Sequence, residues 1–179
     1  MSHPAAYLLA QRDYPMQLLE AAADMVSRGR YEVSVVTSQM ACEVCAERVF
    51  RAYFLGRGVS FLDEAVDDLL PSYNLANEKV RTLYVALTAD PIQQQFFWSE
   101  YKVVVKLRNK AVHAGNRLQE SQAQMALRVA KLVVKHLQSV EQQTPRPAAV
   151  SGDAVNMPAD TDILSAGVCL PTARRSLLR

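Results

Sequence analysis

The chain has 179 residues, half of them apolar, and a formal net charge of +2. That is enough for one helical or mixed core plus a tail, and too little charge to name a partner by itself. Three cysteines, an odd number without framework spacing, argue against a secreted disulfide scaffold, and no apolar run approaches the roughly 20 residues of a membrane span.

The first predicted helix or helix pair covers Pro4 to about Arg28. Pro15 suits a first turn, and Met16, Leu18, Leu19, Ala22, Ala23 and Val26 follow at helical spacing before Gly29 stops the run. The next spans about Tyr31 to Leu55 and ends at Gly56 and Gly58. Its apolar arc holds Val35, Cys42, Cys45, Ala46, Val49, Phe50, Ala52 and Tyr53. Glu47 and Arg51 lie opposite, four apart and able to pair. Cys42-x-x-Cys45 falls inside this arc with no second pair and no nearby histidine, so small buried side chains outweigh zinc or redox use.

A short helix from Asp63 to Leu70 meets Pro71, and another runs from about Leu75 to Leu87. Asp90-Pro91 opens the next, with Pro91 in the first turn and Gly115-Asn116 at the close. The last spans about Leu118 to Val140. His136, beside Lys131 and Lys135, is expected on the surface. No hairpin signal appears, so the fold class is all-α: an antiparallel, up-and-down bundle of five to six helices. Residues 1–143 form this domain. Residues 144–179, interrupted by Pro145, Pro147, Pro158 and Pro171, read as a flexible tail.

Charge is unevenly spread. Residues 1–92 hold eight Lys and Arg against twelve Asp and Glu, a net of −4; residues 93–142 hold eight against three, a net of +5. An anionic ligand favours the second region. On a helical wheel, Phe96, Phe97, Trp98, Tyr101, Val103, Val104, Val105, Leu107, Ala111 and Val112 form a wide apolar arc, so this helix is expected to be buried on most sides. Arg108 falls inside the arc, where it must be paired or aimed at a cleft. Lys102, Lys106, Asn109 and His113 share the polar arc. Arginine stabilises phosphate charge and histidine moves protons near neutral pH, a combination suited to cleaving RNA without a metal. Structural roles compete: an ion pair of Arg108 with Glu43 or Glu47, and a helix C-terminal setting for His113. Arg108 and His113 are five residues apart, about 140° around an ideal helix, so convergence needs a loosened last turn or a second subunit.

Leu107-Arg108-Asn109-Lys110 with Val112-His113 resembles the signature of HEPN domains: an arginine, a polar residue and a histidine after four to six intervening residues. The resemblance spans roughly residues 15–142 as an order of helices. It implies a dimeric helical bundle, and for many members a metal-independent, cofactor-free endoribonuclease of toxin–antitoxin or defence systems. It would make His113 the general acid or base, Arg108 the stabiliser of phosphorane charge and Asn109 an orienting group, with Glu47 or Glu43 as a supporting acid. Lys102, Lys106 and Lys110 would then contact RNA. The implied partners are RNA, a second copy and an antitoxin or other regulatory protein, in a reduced cytoplasm. The alternative is a non-catalytic helical module that dimerises and binds a nucleotide or partner. No histidine–acid cluster has metal-ligand spacing, and no Gly-rich phosphate loop is present.

Overall fold

A computed structural model describes residues 4–59, 61–70, 72–114 and 117–144. They belong to a unit spanning Met1–Ala148. The proposed tail lies outside the described residues except for Thr144, as do Cys169 and His3.

The described residues form six α-helices and one 3-10 turn: α1 (Pro4–Ser27), α2 (Tyr31–Gly56), α3 (Leu62–Leu69), α4 (Glu78–Thr88), the 3-10 turn Ile92–Gln94, α5 (Trp98–Ala114) and α6 (Glu120–Gln142). The all-α expectation holds, with no strand among the described residues. Gly29, in the left-handed region at φ 68°, ends α1 and lets the Arg30 N–H reach the Met25 carbonyl at 2.8 Å. Pro15 lies inside α1, not in a first turn. α4 starts later than Leu75, because the Asn77 side chain caps it by accepting from the Lys79 N–H at 2.9 Å.

Side-chain pairs fix the directions of the long helices. Gln39 meets Tyr101, while Tyr31 and Glu32 share a cavity wall with Ala111, so α2 and α5 are antiparallel. Ser34 Oγ donates to the Ala22 carbonyl across the α1–α2 hairpin. α1, α2, α5 and α6 therefore alternate in direction, with α3 and α4 inserted in the second connection. The most extensive pairing, α2 with α6, is parallel: Tyr31 faces Glu120, Cys45 faces Val134 and Arg48 faces Glu141. Cys45 lies at this seam, and both helices bury small side chains, Ala41, Cys42, Cys45 and Ala46 on α2 and Ala123, Ala126 and Ala130 on α6. They allow the close approach that a dense core requires.

Cys42 and Cys45 are thus packing residues. Burial raises the Cys42 thiol well above its usual range and pushes Cys45 up to about 12. Both thiols are free, and the Cys45 Sγ points to the Val134 carbonyl at 3.8 Å. No described helix is long and apolar enough to cross a membrane.

Two expectations for α5 fail. Pro91 does not begin it; the chain makes the 3-10 turn first, and α5 starts at Trp98. Phe96 therefore precedes the helix and is 79% exposed, while Phe97 packs inward at 2%. The helix is also less enclosed than its apolar arc implied. Val103 and Val112 are exposed, and burial is confined to the side carrying Tyr101, Val104, Val105 and Leu107.

Candidate functional site

The residues of the Arg–His motif occupy the last two turns of α5. Asn109 and His113 are exposed, and Arg108 is half-buried. Lys102, Lys106, Asn109 and His113 repeat every three to four residues and lie on one exposed face, with Lys110 beside them. Arg108 projects from the bundle side, which is the separation of about 140° that an intact helix imposes. The last turn does not loosen up to Ala114.

Arg108 Nη1 donates to its neighbour Asn109 Oδ1 at 3.2 Å. Among the described residues, Arg108 forms no ion pair with Glu43 or Glu47. Glu47 instead engages Arg51 at 2.8 Å, the pairing expected from their spacing, and Glu43 accepts from Gln39 Nε2 at 3.4 Å. Those acids are also at the wrong height. With Gln39 level with Tyr101 and α2 antiparallel to α5, Glu43 lies about 16 Å from Arg108 along the axis, and Glu47 further still.

The same register puts Glu32 level with Arg108. Glu32 Oε1 accepts from the Leu118 N–H at 2.7 Å, tying the chain entering α6 to the start of α2. That backbone hydrogen bond holds the Glu32 carboxyl below its ordinary value, helped by its own backbone N–H and by the Arg117 charge against a smaller opposing effect of burial. Glu32 was missed because nothing local in the sequence distinguishes it. The register of α2 against α5 was the missing information. Beside it, Gly29, Tyr31, Ala111, Arg117 and Leu118 complete a cavity of about 460 Å³ on the Arg108 flank of α5.

His136 corrects a second expectation. It is 18% exposed, not on the surface, and its Nε2 lies 2.7 Å from Asp90 Oδ2. Tyr84 donates to the same oxygen at 2.6 Å, and Phe97 meets the imidazole edge-on. Burial alone would raise the Asp90 carboxyl; hydrogen bonds from His136 and Tyr84, with the imidazole charge, outweigh it and leave the value lowered. Burial and the Asp90 contact push the Tyr84 hydroxyl far up. Tyr53 of α2 and Arg57, just past its end, approach this cluster, and Arg57 Nη2 donates to the Leu87 carbonyl.

Among the described residues, His113 has no hydrogen-bond or ion-pair partner, and no group of three or more His, Cys, Asp or Glu is placed to hold a metal ion. No family model, curated protein or solved structure matches the chain.

Proposed function

We propose that the chain is a HEPN-type endoribonuclease that works as a homodimer on RNA in a reduced cytoplasm, under the control of an antitoxin or other regulatory protein. One observation carries this reading: an exposed, uncommitted histidine on the basic face of α5 follows a half-buried arginine on its bundle side. An imidazole without structural partners is free to turn toward a substrate hydroxyl. A guanidinium held by its neighbour's amide keeps a planar fork for two phosphate oxygens.

The reaction uses only groups of the protein and of RNA. His113 takes the proton from a ribose 2′-hydroxyl, whose oxygen attacks the adjacent phosphorus. Arg108 stabilises the charge that builds on the phosphorane. The bond from phosphorus to the 5′-oxygen breaks, that oxygen takes a proton from an imidazolium, and the products are a 2′,3′-cyclic phosphate and a 5′-hydroxyl. Asn109 orients Arg108, and Lys102, Lys106 and Lys110 attract the flanking phosphates.

Arg108 and His113 of one chain diverge, so one copy cannot direct both at a single phosphate. A second copy packed beside α5 supplies the missing group, and exposed Val103 and Val112 give that contact apolar surface. The deciding test is RNA cleavage in EDTA. Wild type should leave cyclic phosphate ends, and His113→Ala should lose at least about 100-fold in rate while melting at the same temperature. A fully active His113→Ala protein removes the assignment. The open setting of His113 favours one other reading, a non-catalytic module that dimerises and binds a nucleotide or partner. A dimeric wild type that leaves RNA intact would establish it.

A further inference from the structure

The cavity beside α5 has a composition that the cleavage chemistry does not use. Its wall carries an aromatic ring, Tyr31, a carboxylate, Glu32, and a guanidinium, Arg117. At about 460 Å³ it falls in the range of small-ligand pockets. Ala111, one turn beyond Arg108 on the same flank, puts the opening next to the side from which Arg108 would hold a phosphate.

Glu32 is only partly used. Its Oε1 accepts from Leu118 N–H, whereas its Oε2 has no partner among the described residues. The Leu118 N–H and the residue's own backbone N–H draw on part of the carboxylate, and since each oxygen offers two acceptor positions, others remain open on this group. Arg117 is close enough to act on Glu32 electrostatically but forms no ion pair with it. Its donors therefore stay available to a ligand. The cavity thus presents acceptors and donors side by side, with Tyr31 in the same wall.

Among the four RNA bases, one edge complements that array. Guanine places two N–H donors next to a carbonyl, so both can enter one carboxylate while a guanidinium takes the O6 or N7 acceptor. Adenine and cytosine each bring one exocyclic amino group to that edge. Uracil brings a single N–H between two carbonyls. Building on the RNA-cleaving reading above, we infer that this cavity is a guanine pocket, in which Glu32 and Arg117 read an unstacked guanine next to the phosphate held by Arg108. Glu32 and Arg117 are specificity residues in this scheme, and Tyr31 is the stacking platform.

The test uses the full chain and two readouts. In the first, binding of GMP, AMP, CMP and UMP is measured by calorimetry. GMP should bind roughly tenfold or more tightly than the others. Glu32→Gln keeps an oxygen for the Leu118 N–H but offers an amino group to guanine's own donors, so it should erase that preference. Arg117→Met is exposed and leaves the Leu118 contact alone. It should weaken GMP at least severalfold, and it keeps the test open if Glu32→Gln melts early. In the second, cut sites are mapped on an RNA of random sequence. Wild type should cut beside guanine, and Glu32→Gln should lose that bias. Cleavage without base bias, together with equal binding of the four nucleotides, overturns the pocket and leaves the ribonuclease standing. Guanine-selective binding that depends on Glu32, with RNA left uncut, keeps the pocket and overturns the ribonuclease.

Discussion

The two histidines of the bundle occupy opposite kinds of surroundings. His136, on α6, lies 2.7 Å from Asp90, which also takes the Tyr84 hydroxyl, and its ring rests against Phe97. His113, at the end of α5, is exposed and has no such partner among the described residues. A side chain held by several groups from distant parts of the chain is committed to the fold, since moving it leaves buried polar atoms unsatisfied. One held by none keeps its rotamer free. The difference separates a histidine that maintains structure from one available for chemistry, although both are histidines on helices in a basic region.

Arg108→Lys tests the free end of this contrast most sharply. It keeps the charge and removes the bidentate fork, so RNA cleavage should fall by on the order of 100-fold with an unchanged melting temperature. Full activity in this variant would reduce Arg108 to a point charge.

At the committed end the pattern should invert. Asp90→Ala and His136→Ala should each destabilise the fold by roughly 1–3 kcal/mol in denaturant titrations, with cleavage per folded molecule unchanged. The linkage has a definite sign. Asp90 titrates lower in the folded chain than in the unfolded one, so its contribution is complete above the ordinary aspartate value. It is lost as pH falls through the lowered value. Asp90→Asn should flatten the acid limb of the stability curve. A wild-type limb that Asp90→Asn leaves unaltered would break the comparison.

The smallest effect concerns how the cluster is held in place. Ala89 ends α4 in the left-handed region at φ 58°, immediately before Asp90, a conformation that costs a residue with a Cβ about 1 kcal/mol. Ala89→Gly removes that cost and should stabilise the fold by up to about 1 kcal/mol in thermal melts, glycine's greater freedom when unfolded offsetting part of the gain. A lower melting temperature would show that the Ala89 methyl makes contacts worth more than its strain.

Much of the architecture was legible because its signals are local. Gly29, Gly56 and Gly58 stop helices, and apolar spacing marks α2 and α6. Phe96 and Pro91 misled for the same reason: an apolar residue and a helix-compatible proline suit α5, yet the chain first makes a 3-10 turn and throws Phe96 outward. The motif could be read as Arg108-Asn109 followed by His113, since these residues are consecutive turns of one helix. The environments of His136 and Glu32 could not. Asp90 is 46 residues from His136, and Leu118 is 86 from Glu32, so only the packing of whole helices brings them together. Arg108 was expected to be buried because the wheel counts neighbours on its own helix. The end of α5 leaves that side partly open.

The parallel α2–α6 seam has a consequence for the order of assembly. Its partners, such as Tyr31 and Glu120 or Cys45 and Val134, are 89 residues apart in the chain, whereas α1 and α2 meet across a turn as a local hairpin. Closing the longer loop carries a larger entropic penalty, and a topology with distant contacts folds more slowly than one built from neighbours. The α1–α2 hairpin should therefore form early and α6 dock late. Large-to-small changes in α6 at the seam, such as Val133→Ala, should speed unfolding and leave the folding rate nearly unchanged. During synthesis the side of α2 that meets α6 would stay uncovered until α6 leaves the ribosome.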